Sequence, residues 1–192
     1  MKRRIKKLAS WFLITALIAA GLVFAFRNQL MRGARHYMER QTQASILKYG
    51  AGLPAVDEVR ILHIEDPLHW QGHGTYHVPF SDGPDMIIVS DRTLSGNDAQ
   101  DVADQWRSLQ LQTRYMAGCY DPHHVVQFRA KGKTICEAVV CFMCGNTSLP
   151  AFPITTRVSF EYGSEGYQRF QATIEGFVGE HTRLSSTPKT QQ

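Results

Sequence analysis

The residues best suited to chemistry in this chain are three cysteines, Cys119, Cys141 and Cys144, with two histidines, His123 and His124, close by. Cys141-Phe142-Met143-Cys144 is a C-x-x-C pair, which offers two thiolates from one tight turn, as tetrahedral zinc sites require. Two runs rich in β-forming residues, His124 to Ala130 and Lys133 to Cys141, flank Lys131-Gly132. A glycine there suits the positive φ of a short hairpin turn. If Ala130 faces Lys133, then further out Pro122 faces Cys141 and Cys119 faces Cys144. Three cysteines thus meet at the open end of one hairpin. Cys136 falls opposite Gln127 and reads as a half-buried bystander thiol. A bulge in either strand would shift this register by one.

Three chemistries fit the cluster. Zinc would take Cys119, Cys141 and Cys144 with His123 or His124 as the fourth ligand; strand alternation aims only one of the two histidines correctly. A disulfide, Cys119–Cys144 or Cys119–Cys141, would clamp the hairpin base in an oxidising compartment. A redox-active Cys141/Cys144 pair is the third reading. It is disfavoured because residues 145–150 read as a loop rather than the start of a helix. Covalent haem is disfavoured because Gly145 stands where C-x-x-C-H needs histidine.

Cys119-Tyr120-Asp121-Pro122, Phe128, Lys131-Gly132-Lys133, Glu137 and Cys141-Phe142-Met143-Cys144-Gly145-Asn146 together resemble a segment recurring in a family of uncharacterised bacterial proteins. Its pattern is Cys-x-x-Pro, an apolar strand, a Gly-Lys turn, a strand with Glu, then Cys-aromatic-x-Cys-x-Asn. The likeness extends more weakly to the segment around Trp106 and to the last helical run, about half the chain. It implies the same domain plan and the grouping of three cysteines, without Cys136, and it carries no reaction.

A second cluster, His63, His69, His73 and His77, spans 15 residues. Gly72, Gly74 and Pro79 make a helix there improbable, so these read as solvated loop histidines rather than ligands. Asp98, Asp101 and Asp104 read as the solvated first turns of a helix. There is no Gly-rich phosphate loop, Gly-x-Ser-x-Gly elbow or His-Glu-x-x-His motif. No catalytic or cofactor-binding residue is assigned.

These residues must be positioned by a modest set of elements. Glu58 to Ile64 and Met86 to Val89 read as strands, with 69–84 as a loop. Ser95 can cap a helix in which Ala99, Val102, Ala103, Trp106 and Leu109 share one face. The hairpin follows, then a strand over Thr155 to Tyr162. A last helix from Glu165 to Val178 aligns Tyr167, Phe170, Ile174 and Phe177. The order β-β-α-β-β-β-α predicts an α+β fold, a small antiparallel sheet with helices on one face.

Ahead of it, residues 1–7 carry five Lys/Arg, and 8–26 form an uncharged run of 19 residues. As a helix that run would be about 28 Å long. It predicts a single N-terminal transmembrane helix behind a basic cytoplasmic tail. The competing reading is a signal peptide cleaved near Val23-Phe24-Ala25. Residues 27–50 predict a basic helical stalk on anionic lipid, 51–182 the α+β domain, and 183–192 a disordered tail. Residues 51–192 hold 11 Lys/Arg against 16 Asp/Glu, a net −5 that argues against nucleic-acid binding. The leading expectation is a single-pass membrane protein with an extracytoplasmic domain that binds another envelope protein without catalysis. The alternative is a zinc-binding or thiol-redox envelope protein using the three cysteines.

Overall fold

The computed structural model describes the backbone of residues 2–79, 83–113, 121–150 and 156–185. Side chains are described from Thr15 onward, except those of Ile18, Ala25 and residues 179–185. The chain forms two units, Met1–Arg40 and Gln41–Gln192.

The described residues of the first unit are helical and belong to α1, Lys2–Tyr49. Among the described residues no helix is long and apolar enough to cross a membrane. That corrects the expected transmembrane span over 8–26, the single-pass address and the extracytoplasmic placement drawn from it. Arg27 closes the apolar run, and Arg32, Arg35 and Arg40 follow it along the same helix. The helix expected over 27–50 lies within α1, which ends at Tyr49.

In the second unit the elements are β1 (Glu58–Glu65), β2 (Gly74–Tyr76), β3 (Met86–Ser95), α2 (Gly96–Ser108), β4 (Leu111–Gln112), β5 (His124–Ala130), β6 (Lys133–Cys141), β7 (Asn146–Leu149), β8 (Thr156–Phe160) and α3 (Glu165–Ser185). They build one eight-stranded sheet in the order β2-β3-β1-β5-β6-β7-β8-β4, antiparallel at every pairing. The expected small sheet of five strands is therefore corrected. The additions are β2, inside the His/Gly loop, the two-residue β4, and β7, which had read as a loop.

β7 shows why pattern reading fails there. Asn146, Thr147, Ser148 and Leu149 are all buried, so the polar/apolar alternation of a half-exposed strand is missing. Most of the polar side-chain atoms are bonded locally instead: Thr147 Oγ1 donates to Val139 O at 3.1 Å, and Ser159 Oγ bonds Asn146 Oδ1 at 3.0 Å, while Asn146 Nδ2 is buried without a partner.

The main core lies on one face of the sheet. Val59, Ile61, Val126, Phe128, Ala138 and Val140 pack there against Val102 and Trp106 of α2 and Phe170 and Ile174 of α3. Trp106 is fully buried, with its ring 5.2 Å from Phe128 and 5.5 Å from Phe170. Its Nε1–H donates to Tyr49 O at 2.6 Å, which satisfies a carbonyl that the end of α1 leaves open. Arg107 donates to Leu53 O and Pro54 O, so α2 also holds the segment that follows α1. On the opposite face a smaller cluster joins Leu62, Ile64, Val125 and Val139 to Val78. Ser95, expected to cap α2, ends β3 with extended backbone and makes no side-chain cap bond.

The hairpin turn has Lys131 at φ 51° and Gly132 at φ 71°, the pair of positive angles a type I′ turn needs. The Asp57 carboxylate accepts the Lys131 N–H at 2.7 Å and holds the turn. Next to it the register slips: Arg129 pairs with Thr134, but Phe128 pairs with Cys136, leaving Ile135 as the extra residue. Cys136 therefore faces Phe128, not Gln127, and Glu137 faces Gln127. One step beyond the last pair, His124 with Val140, the slipped register brings Cys141 level with His123 rather than Pro122.

Candidate metal centre

β1 and β5 pair antiparallel with His63 opposite His124. Strand alternation puts His63 and Glu65 on the face that carries Val59 and Ile61. His123 lies one residue ahead of β5 and is held by its carbonyl, which accepts the Ile64 N–H at 2.9 Å. Being outside the strand, its side chain is free of the pleat. His123 and His124 consequently both reach the end of β1, which strict alternation would have forbidden.

The geometry there is tight. His63 Nε2 lies 2.8 Å from Glu65 Oε1, and His123 Nδ1 lies 3.2 Å from Glu65 Oε2. One donor atom from each of His63, Glu65 and His123 falls within 4.8 Å of the others. Ligands on a tetrahedral zinc ion are about 3.4 Å apart when each bond is near 2.1 Å, so the two Glu65 contacts, at 2.8 and 3.2 Å, need only open slightly for an ion to be shared. His63 and Glu65 are 13% and 14% exposed, while His123 is 30% exposed and marks the open side. His123 Nε2 points the other way, 3.5 Å from Asp121 Oδ2.

The Nδ1 atoms of His63, His123 and His124 are buried without a hydrogen bond, that of His123 keeping only its ion-pair contact with Glu65. A buried polar atom left unpaired costs about 1–3 kcal/mol. His124 stacks on His63 from the inside, with centroids 5.4 Å apart, and meets Phe142 beyond it at 5.2 Å with the rings tilted by 58°. Burial, then the neighbouring His63 and His123, lower its pKa to about 3, so it stays neutral.

The other expected residues are placed as follows. Cys141 is buried at the end of β6, paired with Asn146, and Cys144 is part-exposed in the turn before β7. Cys119 lies outside the described residues, and with it the expected zinc set and both expected disulfides. Cys136 is fully buried rather than half-buried, and burial, with Glu137 beside it, pushes its thiol up to about 12. His69, His73 and His77 are exposed, and His77 Nδ1 meets Asp85 Oδ1 at 2.9 Å. They do not share the His63 cluster, although His63 had been grouped with them.

Glu65 was missed by sequence reasoning. The one available signal was His63-x-Glu65 at strand spacing two, which puts both side chains on one face. Comparison with protein-family models, with curated proteins and with solved structures returned no match. The arrangement of two imidazoles and one carboxylate thus stands on its own chemistry. It suits zinc and similar divalent transition ions, and leaves at least one coordination position for water or another ligand.

Proposed function

We propose that this chain is a divalent transition-metal-binding protein whose centre is His63, Glu65 and His123, with zinc as the best-suited ion. The observation that carries this reading is the convergence of three donors within 4.8 Å, with His123 Nδ1 buried among them. An ion would take up the buried His123 Nδ1, and Glu65 would supply the balancing charge. This reading is preferred to the interaction module without a metal because two imidazoles and a carboxylate converge at one point. It also differs from the cysteine-based site in its ligands.

The test is a cobalt(II) titration of the full chain after chelator treatment. One ion per chain is expected, with no thiolate-to-cobalt charge-transfer band. Affinity should survive alkylation of the accessible thiols and fall sharply in His63→Ala and His123→Ala. A strong charge-transfer band would return the site to the cysteines. Failure to bind any ion would end the metal reading.

A further inference from the structure

We infer that Asp121 is the outer carboxylate that orients His123 on the metal, an inference that rests on the centre proposed above. His123 is placed between two carboxylates: its Nδ1 is 3.2 Å from Glu65 Oε2, and its Nε2 is 3.5 Å from Asp121 Oδ2. The buried Nδ1 faces the other two donors, so it is the atom that reaches the ion. An imidazole that gives one lone pair to a metal keeps its single proton on the other nitrogen. That nitrogen is Nε2, and Asp121 is the acceptor beside it. Ligating histidines are commonly held in this way, and loss of the outer partner costs about ten- to a hundredfold in metal affinity.

The two imidazole ligands are then oriented by different means. His63 is stacked against His124 and carries a buried Nδ1 with no hydrogen-bond partner. His123 is outside the strand and part-exposed, so its ring has more freedom to lose. Asp121 is itself 65% exposed, and changing it disturbs no core packing.

The experiment compares wild-type full chain with Asp121→Ala and Asp121→Glu. Cobalt(II) affinity and the exchangeable, cobalt-shifted imidazole N–H resonances are both measured. Asp121→Ala should bind about ten- to a hundredfold more weakly and lose or broaden one N–H resonance, with the visible spectrum of the bound ion unchanged in position. Asp121→Glu should restore part of both. Equal affinity and equal resonances in wild type and Asp121→Ala would overturn the inference while leaving the centre standing. A shifted visible spectrum would also overturn it, because Asp121 would then be a ligand itself. Absence of cobalt binding in the wild type would remove the centre, and the role of Asp121 with it.

Discussion

The rings of His63 and His124 lie parallel across the β1–β5 pairing, 5.4 Å apart with 10° between their planes. His124 is in turn 5.2 Å from Phe142, which packs on Phe170 in the main core. A continuous chain of ring contacts therefore runs from the core to the candidate centre. It restrains the His63 ring, and it does so with a neutral neighbour that would not repel a cation.

The stack has a consequence for acid stability in the metal-free protein. His124 has a folded pKa of about 3, against 6.5 in the unfolded chain. Between those values the unfolded state binds a proton that the folded state refuses. The contribution is therefore fully present above pH 6.5 and is lost as pH falls towards 3, at up to ~1.4 kcal/mol per pH unit. Urea unfolding with chelator present, across this range, should show that slope, and His124→Phe should flatten it while keeping a ring against His63. Equal slopes in both proteins would refute the burial of His124.

Zinc binding should stabilise the fold. At a free concentration one hundred times the dissociation constant the gain is about 2.7 kcal/mol, provided the unfolded chain does not bind. Glu65→Gln should abolish most of that gain by removing the anionic donor between His63 and His123. Thermal melts with zinc and with chelator would check this. An undiminished zinc-induced rise in Tm for Glu65→Gln would place the ion elsewhere.

Trp106 joins α2 to the rest of the second unit. Trp106→Ala removes a fully buried side chain and should cost about 3–5 kcal/mol. Trp106→Phe keeps a ring beside Phe128 and Phe170 but takes the hydrogen bond from Tyr49 O. It should cost about 1–3 kcal/mol, the expense of an unpaired buried carbonyl. Chemical denaturation separates the two variants; a neutral Trp106→Phe would show that the indole bond contributes little.

Gly145 sits at φ 61°, and an added Cβ would lie 2.9 Å from Tyr162 Cδ2. Tyr162 is 68% exposed, so its ring can swing aside and the backbone term should dominate. Gly145→Ala is expected to lose about 1–2 kcal/mol and Gly145→Asn less, because asparagine tolerates the left-handed region better. Equal losses from the two would assign the cost to the Tyr162 contact instead.

The Cys136 thiol should be inert in the folded protein. It is buried and its pKa is raised to about 12, so almost no thiolate exists near neutrality. Thiol-reactive dye should label Cys136 only as fast as the protein unfolds, as peptide mapping of timed samples can follow. Rapid labelling at that position under native conditions would contradict its burial.

Much local structure was legible before any tertiary arrangement was known. The bounds of β5 and β6 follow from β-rich runs around Lys131-Gly132, and the buried face of α2 follows from apolar residues at helical spacing. Polar β7 and two-residue β4 were illegible, because neither carries an apolar pattern long enough to read. The bulge at Ile135 was also invisible. It changes only which residues face each other, and no residue type announces it.

By itself the sequence determined which residue types were at hand: cysteines on one hairpin, histidines in two groups, and a carboxylate two positions after His63. These follow from composition and short spacing, where backbone geometry leaves few choices. Only the tertiary structure decided that the candidate metal donors come from β1 and from the residue ahead of β5. That choice depends on pairing segments some 60 residues apart, on His123 falling one residue outside the pleat, and on Glu65 lying between the two imidazoles. Such contacts are set by long-range strand register and shared burial, which no window of neighbouring residues encodes.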